Sequence, residues 1–233
     1  MKLCVIPARG GSKRIKNKNI KFFVQKEIIY YSIKAALNSK LFDKIIVSTD
    51  SKAIAKIAEK YGAEVPFVRP ANISDDQTAT IPVIKHAIKF YESQNILIDD
   101  VCCIYATAPF IQSTDIRETF KILKSHKWDY VFVATKYNHP IYRSFKKDKN
   151  AGTKMLYTNQ FNSRSQDLED IYHDAGQFYW GTADAWKKNT KIFSKNSTFK
   201  TIPSWRVNDI DTIDDWKRAE FMFQILNNKN RVK

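Results

Sequence analysis

Cysteine is scarce in this chain: Cys4, Cys102 and Cys103 are the three. Their odd number and the lack of any C-x-x-C pair exclude a disulfide framework and a thiolate metal or redox centre. Glycine and proline are few as well, 6 and 7 residues, which excludes collagen-like and linker-rich chains. No stretch approaches the roughly 18 consecutive apolar residues that a membrane-spanning helix needs. Met1-Lys2 runs straight into Leu3-Cys4-Val5-Ile6 without a charged-then-apolar leader, so a cytoplasmic protein with no membrane partner is expected. Acid is in short supply, 24 Asp and Glu against 39 Lys and Arg, for a net charge of +15. The shortage is sharpest at the start, where Lys2, Arg9, Lys13, Arg14, Lys16, Lys18 and Lys21 meet no acid at all. What is abundant is apolar side chain, 43% of 233 residues with 13% aromatic, enough to bury one large core and to exclude disorder.

Helix-period and strand-period segments alternate along the chain. Short β-branched runs at 3–6, 44–49, 65–68, 101–105 and 130–134 read as strands, and apolar residues at helical spacing mark helices at 28–38, 80–91 and 113–126. A further helix begins at Asp50-Ser51, a natural cap, and stops at Gly62, suited to the left-handed position after a helix. Such alternation predicts a three-layer α/β domain around a mostly parallel sheet. Its ligand site should lie beyond the carboxyl ends of the strands, in particular those at 3–6, 65–68 and 101–105. From 136 to 172 the period lapses, as in an excursion or a partner-binding arm. Residues 177–180 and 201–202 resume strand character, 214–226 closes as a helix whose Thr212 and Asp215 form a capping box, and 227–233 reads as a basic flexible tail.

The most specific motif follows the first strand: Ala8-Arg9-Gly10-Gly11-Ser12-Lys13-Arg14-Ile15-Lys16-Asn17-Lys18-Asn19. Paired glycines let backbone amides approach a polyphosphate, and Arg9 and Lys18 place charge where phosphate oxygens would lie. The spacing is neither that of a Walker P-loop nor that of a dinucleotide turn. On physics alone a solvated basic turn remains the alternative. Asp209 and Asp211, one residue apart in an extended stretch, project to one face as two hard oxygen donors of the kind Mg²⁺ takes beside phosphates. Asp75-Asp76 reads as a solvent-facing or cap-like pair, and His86 and His126 as surface or cap residues. His139 is undecided. Cys102 and Cys103 should point to opposite faces of a strand, with no base to activate either.

The loop resembles the nucleotide loop of the acylneuraminate cytidylyltransferase (CMP-sialic acid synthetase) family. The likeness continues in register through Ile46-Val47-Ser48-Thr49-Asp50, Arg69-Pro70, Ala106-Thr107-Ala108-Pro109 and Asp209-Ile210-Asp211-Thr212, across nearly the whole chain. It implies a Rossmann-like domain of the nucleotide-diphospho-sugar transferase type over 1–226, with 136–172 as an inserted dimerisation and substrate arm, and a homodimer. It implies CTP as substrate and a divalent metal, Mg²⁺, at Asp209 and Asp211. By matched position, Ala8, Arg9, Gly10, Gly11, Ser12, Lys18, Asn19, Arg69, Thr78 and Thr80 would bind the nucleotide, with Arg9, Lys18 and Asp211 catalytic. Either Asp211 or a hydroxide on the metal would take the acceptor's proton.

Three further segments, Tyr105–Phe110, Arg164–Glu169 and His173–Gly181, resemble the branch of that family whose acceptor is pseudaminic acid. They suggest Tyr105, Arg164, His173, Gln177 and Tyr179 as sugar-binding residues, with Arg164 and Arg206 available for the acceptor's carboxylate. Where sialic acid enzymes read Q-P-T-S-P and R-P-N-G-A, this chain has Tyr105-Ala106-Thr107-Ala108-Pro109 and His173-Asp174-Ala175-Gly176-Gln177. Another acidic sugar, whether N-acetylneuraminic acid, legionaminic acid or 3-deoxy-octulosonate, is the near alternative, and a basic nucleic-acid-binding module the remote one.

Overall fold

The computed structural model describes residues 1–149, 152–160 and 162–229, without the side chains of 165 and 227–229. In chain order its elements are β1 (Lys2–Pro7), a small hairpin of β2 (Phe22–Phe23) and β3 (Lys26–Glu27), α1 (Ile29–Ser39), β4 (Lys44–Ser48) and α2 (Lys52–Lys60). Then come α3 (Thr80–Glu92), β5 (Asp100–Ile104), α4 (Ser113–Ser125), β6 (Tyr130–Lys136) and a second hairpin of β7 (Phe145–Lys147) and β8 (Thr153–Met155). The chain closes with β9 (Tyr172–Thr182), α5 (Ala183–Lys187), β10 (Ser197–Thr201) and α6 (Ile213–Lys229).

The central sheet has the order β10-β6-β9-β5-β1-β4. β1 pairs in parallel with β4 and β5, and β10 in parallel with β6, while β9 runs antiparallel between β5 and β6. Strands covered on both faces need apolar residues on both, and β1 shows this directly. Cys4 and Ile6 enter one core layer with α1, α2 and α4, whereas Leu3 and Val5 enter the other with α3 and α5. Cys102 and Cys103 divide between the two layers in the same way, and burial raises the pKa of all three thiols far from nucleophilic use. The mostly parallel three-layer expectation is therefore met. A third cluster, built from Phe23, Ile28, Phe110, Trp216 and Ala219, packs α6 against the first hairpin and takes in Ile15, so it clamps the middle of the glycine-rich loop.

Local signals explain the ends of the helices. Ser51 accepts from the Ile54 amide at 3.5 Å to start α2, and Gly62 follows it at φ +91°. Thr212 and Asp215 cap α6 reciprocally: the Asp215 carboxylate accepts from the Thr212 amide at 2.8 Å, and the Thr212 hydroxyl accepts from the Asp215 amide at 3.2 Å. In β9, Gly181 is obligatory, since a Cβ there would lie 2.6 Å from Trp186 Nε1 and from the Tyr130 ring.

The structure departs from expectation in four places. Residues 65–68 form no strand; the segment touches β4 through isolated bridges at Glu64 and Val68, because Pro66 between them has no amide to continue a ladder. β9 begins five residues before 177, carried by pairing of Tyr172, His173 and Asp174 with the end of β6. β10 spans 197–201, ahead of the expected 201–202. α6 runs on to Lys229, so the first three residues of the expected tail are helical, and 230–233 lie outside the described residues. Between the end of β6 and the start of β9, the described residues of the 136–172 stretch hold the β7–β8 hairpin and single 3-10 turns, with Phe145 and Leu156 exposed.

Candidate active site

The turn after β1 and the turn after β4 meet above the sheet. The Ala8 amide donates to the Ser48 carbonyl at 2.9 Å and the Gly10 amide to Asp50 Oδ1 at 2.8 Å, which ties the loop to the start of α2. Gly10 is small for a steric reason: its Cβ would lie 3.1 Å from Ser51 Cβ. Its amide thus serves Asp50, a use the sequence did not suggest. Asn19 Nδ2 donates to the Arg9 carbonyl at 2.9 Å and folds the far end of the loop back on its start. Asn17 takes the left-handed conformation, φ 54°, that asparagine tolerates well.

Among the described residues, the ion pairs of this loop's cationic side chains fall on two acids. Arg9 and Lys13 both pair with Asp76. Arg14 reaches Asp211 Oδ2 at 2.6 Å and Lys18 reaches Asp211 Oδ1 at 3.3 Å. Asp75, beside Asp76, is a turn cap: it accepts from the Gln77 amide at 3.0 Å and from the Thr78 amide and hydroxyl at 2.7 and 2.6 Å, and these bonds hold its carboxyl below the usual range. Thr78 is thereby engaged within its own turn. Asp76, read from sequence as solvent-facing or cap-like, is exposed and also belongs to the cation cluster.

Arg69 lies deeper. It is 4% exposed, 4.0 Å from Asp50, and its Nε and Nη2 have no hydrogen-bond partner. Burial, together with the Arg9 charge, lowers its pKa against the pull of Asp50. A buried guanidinium with unused donors is costly unless an acceptor arrives, and the oxygens of a nucleotide are such acceptors. His86, expected as a surface or cap residue, is partly buried in the same neighbourhood: its ring meets Phe67 at 4.6 Å, and burial with the Arg69 charge lowers its pKa.

Asp209 and Asp211 follow β10 and precede α6. Partial burial and the Asp211 charge hold the Asp209 carboxyl above the usual carboxylate range, with Lys18 and Arg14 opposing. Two mutually repelling carboxylates facing a cationic loop are a hard-oxygen donor set of the kind that accepts a divalent cation together with phosphate oxygens, so the residues fit Mg²⁺. Among the described residues no cluster of three or more acidic, His or Cys ligands exists, so such an ion would rely on substrate for further ligands.

The acceptor-side residues differ in character. Thr80 Oγ1 and Tyr105 Oη are 3.2 Å apart, Tyr105 meets Tyr179 edge to face at 5.5 Å, and the Tyr179 hydroxyl donates to Asp174. His173 packs on Tyr137 at 4.7 Å. Gln177 is 4% exposed; its Nε2 donates to the Arg206 carbonyl at 2.7 Å, and its Oε1 is unpartnered. Arg206 does not stand free for a carboxylate, because it is buried, paired with Asp115, and donates to the Phe110 carbonyl at 3.2 Å. Arg164 lies on the arm, 78% exposed and 4.0 Å from Asp167. A cavity of about 930 Å³ between α1, residues 109–114 and α6 is lined by Tyr31, Phe110, Trp205 and Phe223 and by none of the loop cations.

Residues 3–199 match the family model described as Cytidylyltransferase. The chain belongs to the cytidylyltransferase family. It is 43% identical over 223 residues, 96% of each chain, to a pseudaminic acid cytidylyltransferase of Campylobacter jejuni subsp. jejuni serotype O:2. The same organism's CMP-N,N'-diacetyllegionaminic acid synthase is 34% identical, covering 97% of this chain and 96% of that one. A solved CMP:2-keto-3-deoxy-manno-octonic acid synthetase complexed with CTP shares the fold, with a TM-score of 0.69 at 12% identity over 96% of this chain and 98% of that one. As a cytidylyltransferase the chain is a CTP-using nucleotidyltransferase.

Two acids of this site are not read from the sequence as partners of the loop: Asp50, which reads as part of a helix cap, and Asp76, which reads as solvent-facing or cap-like. Asp50 had a signal, an acid directly after a parallel strand at the ligand-binding end of the sheet. Asp76 had none, because a fold-back of the 70–79 segment brings it to Arg9.

Proposed function

We propose that this enzyme transfers CMP from CTP to the anomeric hydroxyl of pseudaminic acid, releasing pyrophosphate and forming CMP-pseudaminic acid. The observation that carries the reading is the meeting of Arg14 and Lys18 with Asp211, next to Asp209, and of Arg9 with Asp76, beside a buried Arg69 whose Nε and Nη2 are unused. The acceptor rests on similarity, 43% identity to a pseudaminic acid enzyme against 34% to a legionaminic acid enzyme.

In this reading Arg9, Ser12 and Lys18 bind the triphosphate, exchanging the carboxylates that hold the two cations for phosphate oxygens. Arg69 and Thr80 address the nucleoside, as does Asn19 through the oxygen its Arg9 bond leaves over. The anomeric oxygen forms a bond to the α-phosphorus as the bond from that phosphorus to the bridging oxygen breaks, and the electron pair leaves with pyrophosphate. Lys18 neutralises the charge that grows on the leaving group, which makes it a transition-state contact. Asp211, beside Lys18, is the side chain to which this reading gives the acceptor's proton. Mg²⁺ held by Asp209 and Asp211 would supply further charge neutralisation at the phosphates.

The arm at 136–172 completes a homodimer in this proposal, with Arg164 reaching the neighbouring subunit's sugar carboxylate. A twofold pair lets each arm serve the other's site. The exposed apolar Phe145, Leu156 and Tyr157 support an interface there. The need for CTP assigns the work to the cytoplasm. No helix among the described residues is long and apolar enough to cross a membrane.

Pyrophosphate release measured over a panel of nucleoside triphosphates and acidic sugars tests the reading. CTP with pseudaminic acid should exceed every other pair. Comparable or better kcat/KM with N-acetylneuraminic acid would leave only the broader family.

A further inference from the structure

Four polar groups form a file from the nucleotide side of the site into β9. Thr80 and Tyr105 are partly exposed at its outer end. Tyr179 is 3% exposed and gives its single proton to Asp174 Oδ2. The other Asp174 oxygen accepts from the Gly176 amide at 3.1 Å, in a turn where Gly176 adopts φ +62°. Burial, with Tyr105 and Asp174 adding to it, pushes the Tyr179 phenol far up, so it remains a donor at any working pH. The Tyr105 and Tyr179 rings meet edge to face, centroids 5.5 Å apart, and each phenol bears on the other's ionisation.

A carboxylate can only accept. With its one proton committed to Asp174, the Tyr179 oxygen can only accept from Tyr105. With its proton turned inward, the Tyr105 oxygen can only accept from Thr80. Thr80 then gives its proton inward too, and the outer end of the file offers substrates lone pairs alone.

We propose that Asp174 is a positioning and specificity residue that acts through Tyr179, fixing the proton order of the file so that Tyr105 and Thr80 face the substrates as acceptors. This rests on the functional reading above, in which Tyr105 borders the sugar. The edge therefore selects an acceptor sugar that presents N–H or O–H donors, as an acylamino sugar acid does. A ligand group that can only accept leaves lone pair facing lone pair, the kind of mismatch that polar sites reject strongly.

Asp174→Asn keeps an oxygen for the Gly176 amide but lets an amide N–H face Tyr179, which removes the fixed order. Tyr179→Phe keeps the ring and removes the middle hydroxyl. Each variant, and the double variant, is assayed for kcat and for KM of pseudaminic acid, after thermal melting has shown it folded. Each single change should raise the sugar KM about 10-fold while kcat stays within about threefold. The double variant should be no worse than the poorer single one, because both break the same file. Losses that multiply in the double variant, or an unchanged sugar KM in Asp174→Asn, would overturn the proposal. So would Asp174→Asn costing as much in a Tyr105→Phe background as in the wild type. If the wild-type enzyme prefers another acid of the panel, the same cycle is run with that acid, so the substrate assignment can fail while the role of Asp174 is still decided.

Discussion

The two ends of the site are built from opposite materials. The phosphate end is a mobile-chemistry surface: Arg9, Lys13 and Arg14 are a third or more exposed, and their partners Asp76 and Asp211 are exposed to a similar degree. The acceptor end is buried and sparing of charge: Tyr179 and Gln177 are nearly fully enclosed, and Asp174 is the single carboxylate in its file. Exposed ion pairs are weak and exchange partners readily, whereas buried hydroxyl chains hold one geometry. The first arrangement suits a polyanion that must arrive, react and leave as pyrophosphate. The second suits a sugar ring whose substituents must be told apart. Charge thus does the chemistry here, and enclosure does the discrimination.

The largest effect expected separates the two ends directly. Asp211→Asn keeps the side chain's shape but removes the charge shared by Arg14, Lys18 and any bound metal. Turnover should fall by about 10³-fold or more with little change in melting temperature. Chelator should abolish wild-type activity, and added Mg²⁺ should restore it. Full turnover in chelator would remove the metal from the phosphate end. Next in size, Lys18→Ala should lower kcat by about 10²-fold while CTP binding weakens less, since leaving-group charge grows along the reaction. An unchanged kcat with a raised KM would make Lys18 a ground-state contact and blur the contrast between chemistry and discrimination.

What was legible in the sequence divides along the same line. Lys18 and the Asp209–Asp211 pair stand in or beside short motifs whose residue types announce phosphate and metal, and the parallel strands around them read from β-branched runs. The acceptor end was harder. Tyr105 follows the last residue of β5 and Tyr179 lies on β9, its antiparallel neighbour, and only that pairing makes a file of them. Arg206 looked free because its partner Asp115 is 91 positions away. Pro66 concealed the end of a ladder within an otherwise strand-like run. Each miss is a tertiary contact overriding a local signal.

A third expectation concerns stability. Gly181→Ala on β9 would force a methyl group to within 2.6 Å of Trp186 and Tyr130, both fully buried. Overpacking of this kind costs about 1–3 kcal/mol or more. For a domain of this size each kcal/mol lowers the melting temperature by about 2–4 °C. Lys13→Ala, on the exposed loop, should leave the melting temperature unchanged. Equal shifts for the two variants would show that the phosphate end is as rigidly built as the strand beneath the acceptor.

The smallest effect is the most telling about how the phosphate end works. Asp76 holds Arg9 and Lys13, the cations that a triphosphate needs, and those contacts must open as CTP enters. Asp76→Asn keeps hydrogen-bonding capacity but removes the competing charge. CTP should then bind more tightly, with KM lowered about threefold at low salt, because the incoming phosphates no longer displace a carboxylate. The gain should shrink as ionic strength rises and screening weakens both the pair and its rival. Sugar KM should not move, since Asp76 touches nothing in the file from Thr80 to Asp174. A raised CTP KM would mean instead that Asp76 preorganises Arg9 for the phosphates, and the phosphate end would then resemble the acceptor end in being built to hold still.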